Sequence, residues 1–238
     1  MTFDRDWFAL GMIGALYLAV LSFSLDSLAP KFFSWFKQSE GVAKLHQQHV
    51  EGEQVLHMLK GTPMASAPDS LKLDFARSDA GKAVANFMRA EQQYIGDWKI
   101  EKIVEAAGAD FEPTEERARL LREVSTHPIV VFSFVDCPWC CLAKERLRAI
   151  EASEAEEWLT SGGLRVVELE DLGRDGKRLR AALALATGRT SMPSIFVGGR
   201  CIGGFTDGDP QGDPELCHTG AQGLEPLDGN ALSRLRES

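Results

Sequence analysis

The chain has no surplus of positive charge. It carries 26 lysines and arginines against 35 acidic residues, a net charge of −9 over 238 residues. An attraction to phosphate backbones of the kind a nucleic-acid binder uses is therefore missing. An evenly paired cysteine framework is missing too. There are five cysteines, and three of them are crowded into residues 137 to 141, unlike the set that staples a small secreted domain. A reducing compartment, with thiols kept for chemistry, fits this usage better. No HExxH motif occurs. His46, His49, Glu53 and His57 fall near one face of an expected helix, but without that spacing and without a cysteine they read first as a solvated face and only second as a metal site.

The composition, 44% hydrophobic and 26% charged, is that of a folded protein able to bury a sizeable core. Its N-terminal run WFALGMIGALYLAVLSFSL, from Trp7 to Leu25, carries no charge and is about long enough at 1.5 Å per residue to cross roughly 30 Å of hydrocarbon. Asp4, Arg5 and Asp6 before it are not net basic, and no small-x-small cleavage pattern follows closely, so a secretory signal fits less well. Residues 1–26 are accordingly a candidate membrane anchor or targeting sequence. If they span a membrane, Lys31, Lys37 and Lys44 place the remainder on the cytoplasmic or equivalent side.

Residues 27–112 read as a helical extension and linker, with helices over 31–60 and from about Ser78 to Ala107, and GTPMASAPDS (61–70) between them. From Pro113 the pattern becomes orderly. A helix over PTEERARLLREVSTH precedes the β-branched and aromatic strand IVVFSFV (129–135). A helix from Pro138 to about Ala152, a strand at 164–170 and a helix over Arg174 to Thr187 follow. Gly198-Gly199 divides SIFVGGRCI as a two-residue hairpin turn requires, and a helix near Leu224 to Leu235 closes the chain. Two parallel strands plus a hairpin, with helices on the faces, make a small α/β layer structure of the thioredoxin type.

The run FVDCPWCCLAKERL holds the chemistry. Cys137 ends a strand directly before Pro138, the favoured first helical residue, so it sits at the helix N-cap, where unpaired N–H groups and the helix dipole favour an anionic sulfur. Cys140 lies one turn on, along an apolar face with Ala143, Leu147 and Ile150. Cys137 should attack and Cys140 resolve. Cys141, aligned with Lys144, Glu145 and Arg148 on a polar face, reads as a surface thiol or as an alternative resolving or regulatory partner. Zinc would need two further ligands, and the later candidates, Cys201, Cys217 and His218, are split between a strand and a Gly/Pro-rich loop.

These motifs carry a resemblance. Residues 113–238, about half the chain, resemble a glutaredoxin: CPWC is similar to the dithiol CPYC centre, TGRTSMPSIFVGG to TGQRTVPNIFIGG, and GGFTD (203–207) to GGCTD, in the same order. The resemblance implies a thioredoxin-like domain with a small mixed four-stranded sheet, a cis peptide at Pro193, and catalytic Cys137 and Cys140. It also implies a glutathione site in which the Met192 backbone pairs with the cysteinyl residue and Gly203 and Gly204 permit close backbone approach. Thr206 and Asp207 would hold the γ-glutamyl end, and Arg189 the glycyl carboxylate. The implied activity is glutathione-dependent reduction of protein–glutathione mixed disulfides and protein disulfides, with glutathione as co-substrate and no metal. Alternatives are a [2Fe-2S] carrier with glutathione as co-ligand, disfavoured by Pro138, and a membrane-tethered adaptor without turnover. Two departures stand out. Phe134 replaces the lysine common three residues before the first cysteine, and Asp136 adjoins Cys137. Both disfavour an anionic sulfur and point to a slower centre.

Overall fold

The structure, a computed structural model, describes residues 67–153, 162–208 and 212–238. The expected membrane segment at 7–25, the helix over 31–60 and its histidine face lie outside these residues. Among the described residues no helix is long and apolar enough to cross a membrane. Two compact units divide at Val84 and Ala85.

In the first unit, α1 (Asp69–Arg77) starts on the last two residues of the stretch expected to be linker, 61–70, and continues through residues to which the sequence assigns no element. Pro68, extended, precedes it, and Asp69 in the first turn suits the positive end of the helix dipole while accepting from the Lys72 ammonium. Arg77 in the last turn suits the opposite end of the dipole. α2 (Asp79–Ala107) starts in the first unit and from Ala85 on belongs to the second; it opens where the sequence places it, the Ser78 hydroxyl accepting from the Gly81 N–H at 3.1 Å. It is interrupted at Ile95, whose φ of −131° is not helical, directly before Gly96.

The second unit contains the sheet. α3 (Pro113–Val124) stops three residues short of the expected end, because Ser125 and Thr126 turn their hydroxyls back onto the Leu121 and Glu123 carbonyls. There follow β1 (Ile129–Ser133), α4 (Pro138–Ser153), β2 (Leu164–Glu168), α5 (Arg174–Thr187), β3 (Ser194–Val197), β4 (Arg200–Gly203) and α6 (Gly229–Glu237). Strand order is β2-β1-β3-β4, with β1 parallel to β2 and antiparallel to β3, and β3 antiparallel to β4. This is the mixed four-stranded sheet of a thioredoxin-like α/β fold. The hairpin turns on Gly198 and Gly199, both at positive φ, as the primed two-residue turn demands.

Every residue of β1 and β3 is buried, the mark of strands covered on both faces. Phe132 and Phe196 meet edge-to-face at 5.6 Å in the centre of the sheet, a contact worth about 0.5–1.5 kcal/mol beyond its buried area. α5 packs on α3, and α6 lies against β3. α6 begins at Gly229, later than the apolar pattern suggests, because the Asp228 carboxylate caps it by accepting from the Ala231 N–H at 2.7 Å.

Candidate active site

β1 ends earlier than its apolar run because the next two N–H groups find partners outside the sheet. Phe134 N–H donates to Cys140 Sγ at 3.5 Å and Val135 N–H to the Glu170 carboxylate at 2.7 Å. The chain turns, Cys137 N–H donating to the Phe134 carbonyl, and the Cys137 carbonyl then accepts the first helical bond of α4 from Cys141. Cys137 is therefore the N-cap and Pro138 the first helical residue. Across from it the Met192-Pro193 peptide is cis, and the Cys137 thiol donates to the Met192 carbonyl at 3.6 Å. Three of the expected site residues, Cys137, Met192 and Pro193, are thus side by side.

Cys140 lies beneath, wholly buried. Burial first, and then its hydrogen bond and charge interaction with Cys137, push the Cys140 thiol well above its ordinary value of 9.0. A thiol raised in the folded state keeps its proton where the unfolded thiol has lost it. Its contribution to stability is complete below pH 9.0 and is lost as pH rises through the higher folded value. The reduced protein should therefore lose urea resistance between pH 8 and strongly alkaline pH, and Cys140→Ala should shrink that loss. An undiminished loss in the variant would refute the assignment.

One expectation about exposure needs correction: Cys141 is buried rather than a surface thiol, and the Cys137 residue is itself only 2% exposed. The helical-face argument fails at the first turn of α4, where every residue from Cys137 to Ala143 is buried. Polar partition resumes only at Lys144, whose ammonium bonds Glu168 of β2 at 2.8 Å.

The remaining expected residues form a second group. Arg189 donates to the Asp207 carboxylate at 2.8 Å, to the Asp207 carbonyl at 3.1 Å and to the Ser191 hydroxyl at 3.0 Å. The residues expected to hold opposite ends of a tripeptide are here one ion pair. Gly203, at φ +103°, and Gly204 make room for it: a Cβ on Gly204 would run into the Asp207 carboxylate and the Arg189 guanidinium, and one on Gly203 into the Asp207 carbonyl. The close approach these glycines permit is of the chain to itself. The Thr206 carbonyl accepts from Arg89 of α2 at 3.2 Å.

Sequence reasoning passed over three residues here. Besides Arg89, Gln92 of α2 donates to the Gly188 carbonyl at 2.8 Å and accepts from the Thr190 N–H at 3.1 Å. It braces the segment that leads to the cis peptide from almost a hundred residues away, and no motif marks it. Gln92→Ala should cost about 1 kcal/mol in global stability, measured by urea unfolding. No change would show that the bracing is idle. The third is Arg180. Its guanidinium is buried, stacks over the Phe134 ring at 5.7 Å and donates to the Thr190 carbonyl. Nη1 has no hydrogen-bond partner among the described residues. Burial, then Arg189, lower its pKa to about 10, while Cys140 and Cys137 pull in the opposite direction. Here a signal did exist, since Gly176, Arg180, Leu183 and Thr187 share one helical face whose other members are small or apolar.

Among the described residues no group of three or more His, Cys, Asp or Glu side chains is placed to hold a metal. No protein-family model matches the chain. It is similar to a glutaredoxin of Ricinus communis, 38% identical over 81 residues, or 34% of this chain and 69% of that protein. The chloroplastic glutaredoxin-C4 of Oryza sativa subsp. japonica is 38% identical over 84 residues, which span 35% of this chain and 55% of that one. The chain belongs to the glutaredoxin family. Among solved structures, the holo form of glutaredoxin C1 from Populus tremula x tremuloides is 36% identical, with 39% of this chain and 73% of that one covered and a TM-score of 0.33. In this glutaredoxin Arg180 of α5 interacts electrostatically with both sulfurs, while residue 134 contributes a ring.

Proposed function

We propose that this protein is a glutathione-dependent thiol-disulfide oxidoreductase. The observation that carries the reading is the Cys137 sulfur at the N-terminus of α4, facing the Met192 carbonyl, with the proton-retaining Cys140 thiol beneath it. With a glutathionylated protein, the Cys137 thiolate attacks the glutathionyl sulfur. The Cys137–glutathione disulfide forms, the old disulfide breaks, and the protein leaves as a thiolate that takes up a proton. A second glutathione thiolate then attacks the glutathionyl sulfur, leaving as glutathione disulfide and returning Cys137 to its anionic form. With a protein disulfide, the Cys137 thiolate first attacks one substrate sulfur and displaces the other as a thiolate; Cys140 then gives up its proton and attacks Cys137, expelling the remaining substrate sulfur as a thiolate, and two glutathiones reduce the Cys137–Cys140 disulfide and leave as glutathione disulfide.

In this reading Met192 and Pro193 present the backbone that pairs with the cysteinyl residue, and Gly203, Gly204, Thr206 and Asp207 receive the γ-glutamyl end. Arg189 takes the glycyl carboxylate, exchanging part of its contact with Asp207 for the ligand. The partners are glutathione and glutathionylated or disulfide-bonded proteins, and the compartment is a reducing one, either cytoplasm or an organelle interior. The test is turnover of a glutathionylated peptide by the full chain, with glutathione reductase and NADPH reporting glutathione disulfide. Catalysis saturable in the peptide and dependent on glutathione supports the reading, and a rate no higher than the uncatalysed exchange overturns it.

A further inference from the structure

The two cysteines far from this centre are neighbours. Cys201 of β4 and Cys217, in the loop that follows, form a parallel β-bridge: Cys201 N–H donates to the Leu216 carbonyl at 2.7 Å, and the Cys201 carbonyl accepts from the His218 N–H at 2.8 Å. Facing residues of paired strands lie about 4.7–4.9 Å apart with side chains on one face, inside the roughly 4.4–6.8 Å Cα separation that a disulfide spans. Both thiols are buried, neither is in a disulfide, and the Cys217 thiol donates to the Ala186 carbonyl at 3.9 Å. We propose that Cys201 and Cys217 are a second redox dithiol, distinct from Cys137 and Cys140, which glutathione disulfide converts to an intramolecular disulfide pinning the loop to the edge of the sheet.

The division of labour follows from the pair's asymmetry. Interaction with Cys201 lowers the Cys217 thiol, whereas burial raises Cys201. Cys217, on the irregular segment, is the sulfur that meets the oxidant when the loop lifts, and opening of such edge segments lies at the inexpensive end of local unfolding. Its thiolate attacks glutathione disulfide, forming a mixed disulfide and releasing one glutathione thiolate. When the loop closes, Cys201 loses its proton, attacks the Cys217 sulfur and expels the second. Two protein S–H bonds are lost, one S–S bond is formed, and one glutathione disulfide becomes two glutathiones, which carry off the two protons.

Closure has a consequence for the first site. Cys201 Sγ accepts from the Gly203 N–H at 3.4 Å, so its bonding bears on the backbone of the GGFTD segment. The far end of the loop returns to that segment too: Leu224 N–H donates to the Gly204 carbonyl at 3.0 Å and Glu225 N–H to the Phe205 carbonyl at 2.9 Å. The disulfide would close the chain around residues 203–207 into a covalent ring. The proposal does not require Cys137 to turn over.

The experiment equilibrates the full chain with glutathione and glutathione disulfide in graded ratios, blocks remaining thiols with an alkylating reagent, and maps peptides. Cys201 and Cys217 share one tryptic peptide, 201–234, and cleavage at Asp213 or Glu215 separates them. The expected product is that peptide about 2 Da light and unalkylated, giving two linked fragments after the second cleavage. Cys217→Ser and Cys201→Ala should each abolish the light peptide, while a Cys137→Ser protein should still form it. Cys217 stopping as a glutathione mixed disulfide, or both cysteines remaining alkylatable when Cys137 and Cys140 are fully oxidised, would overturn the proposal.

Discussion

Cys137→Ser should lower turnover of a glutathionylated peptide to the uncatalysed rate, a loss on the order of a thousandfold or more for a nucleophile that forms the covalent intermediate. Cys140→Ser should keep most of it, since reduction of a mixed disulfide uses one protein sulfur and one glutathione. The same Cys140→Ser protein should fail on a protein disulfide, where the second sulfur releases the substrate. The asymmetry rests on position. Cys137 caps α4 with its sulfur against the Met192 carbonyl, whereas Cys140 lies wholly buried, accepts the Phe134 N–H and holds its proton. Replacement of either sulfur by an oxygen barely changes the local packing, so thermal unfolding should stay close to the parent's. The measurement is steady-state glutathione disulfide production for the two variants on both substrates. Equal losses on both substrates, or activity surviving in Cys137→Ser, would sink the division of roles.

What the sequence made legible is what local chemistry decides. Gly198-Gly199 between two apolar runs specifies a primed hairpin turn, and the hairpin forms there. Pro138 directly after a cysteine specifies an N-cap, and Cys137 occupies it. Proline at 193 agreed with the resemblance to a cis peptide, and the bond is cis. The errors lie where a partner distant in the chain takes over. β1 stops at Ser133, although β-branched and aromatic residues continue, because Glu170 and the Cys140 sulfur claim the next two N–H groups. Helical periodicity aligns Cys141 with Lys144, Glu145 and Arg148, but it describes one helix against one core and fails where every residue of the first turn is buried. Gln92 is a polar residue in a helix of unremarkable pattern, and its role appears only once the chain has folded back onto Gly188 and Thr190. The Arg189–Asp207 pair is hidden for the same reason: nothing local tells that two residues read separately as ligand contacts are also an ion pair.

Arg180 gives the second large expected effect. From the sequence alone, Phe134 in place of a lysine and Asp136 beside Cys137 suggest a centre starved of positive charge. The structure supplies a cation from another element. The Arg180 guanidinium is buried, rests on the Phe134 ring, and lies in the field of both sulfurs, with Nη1 unpartnered among the described residues. A ring in place of the lysine is then a platform, since a guanidinium stacks where an ammonium would not. Its charge survives burial, for a pKa of about 10 leaves it protonated at neutral pH. Arg180→Gln should slow iodoacetamide alkylation of Cys137 at pH 7 by about tenfold, the equivalent of roughly 1.4 kcal/mol less stabilisation of negative charge on the attacking sulfur. Arg180→Lys should recover only part of the rate, because an ammonium keeps the charge but loses the stacking. A Phe134→Lys substitution in the Arg180→Gln background restores a cation by the other route and should recover reactivity where a merely structural loss would not. An Arg180→Gln protein that folds normally and alkylates at the parent's rate at every pH would show that the cation and the sulfur are neighbours without consequence.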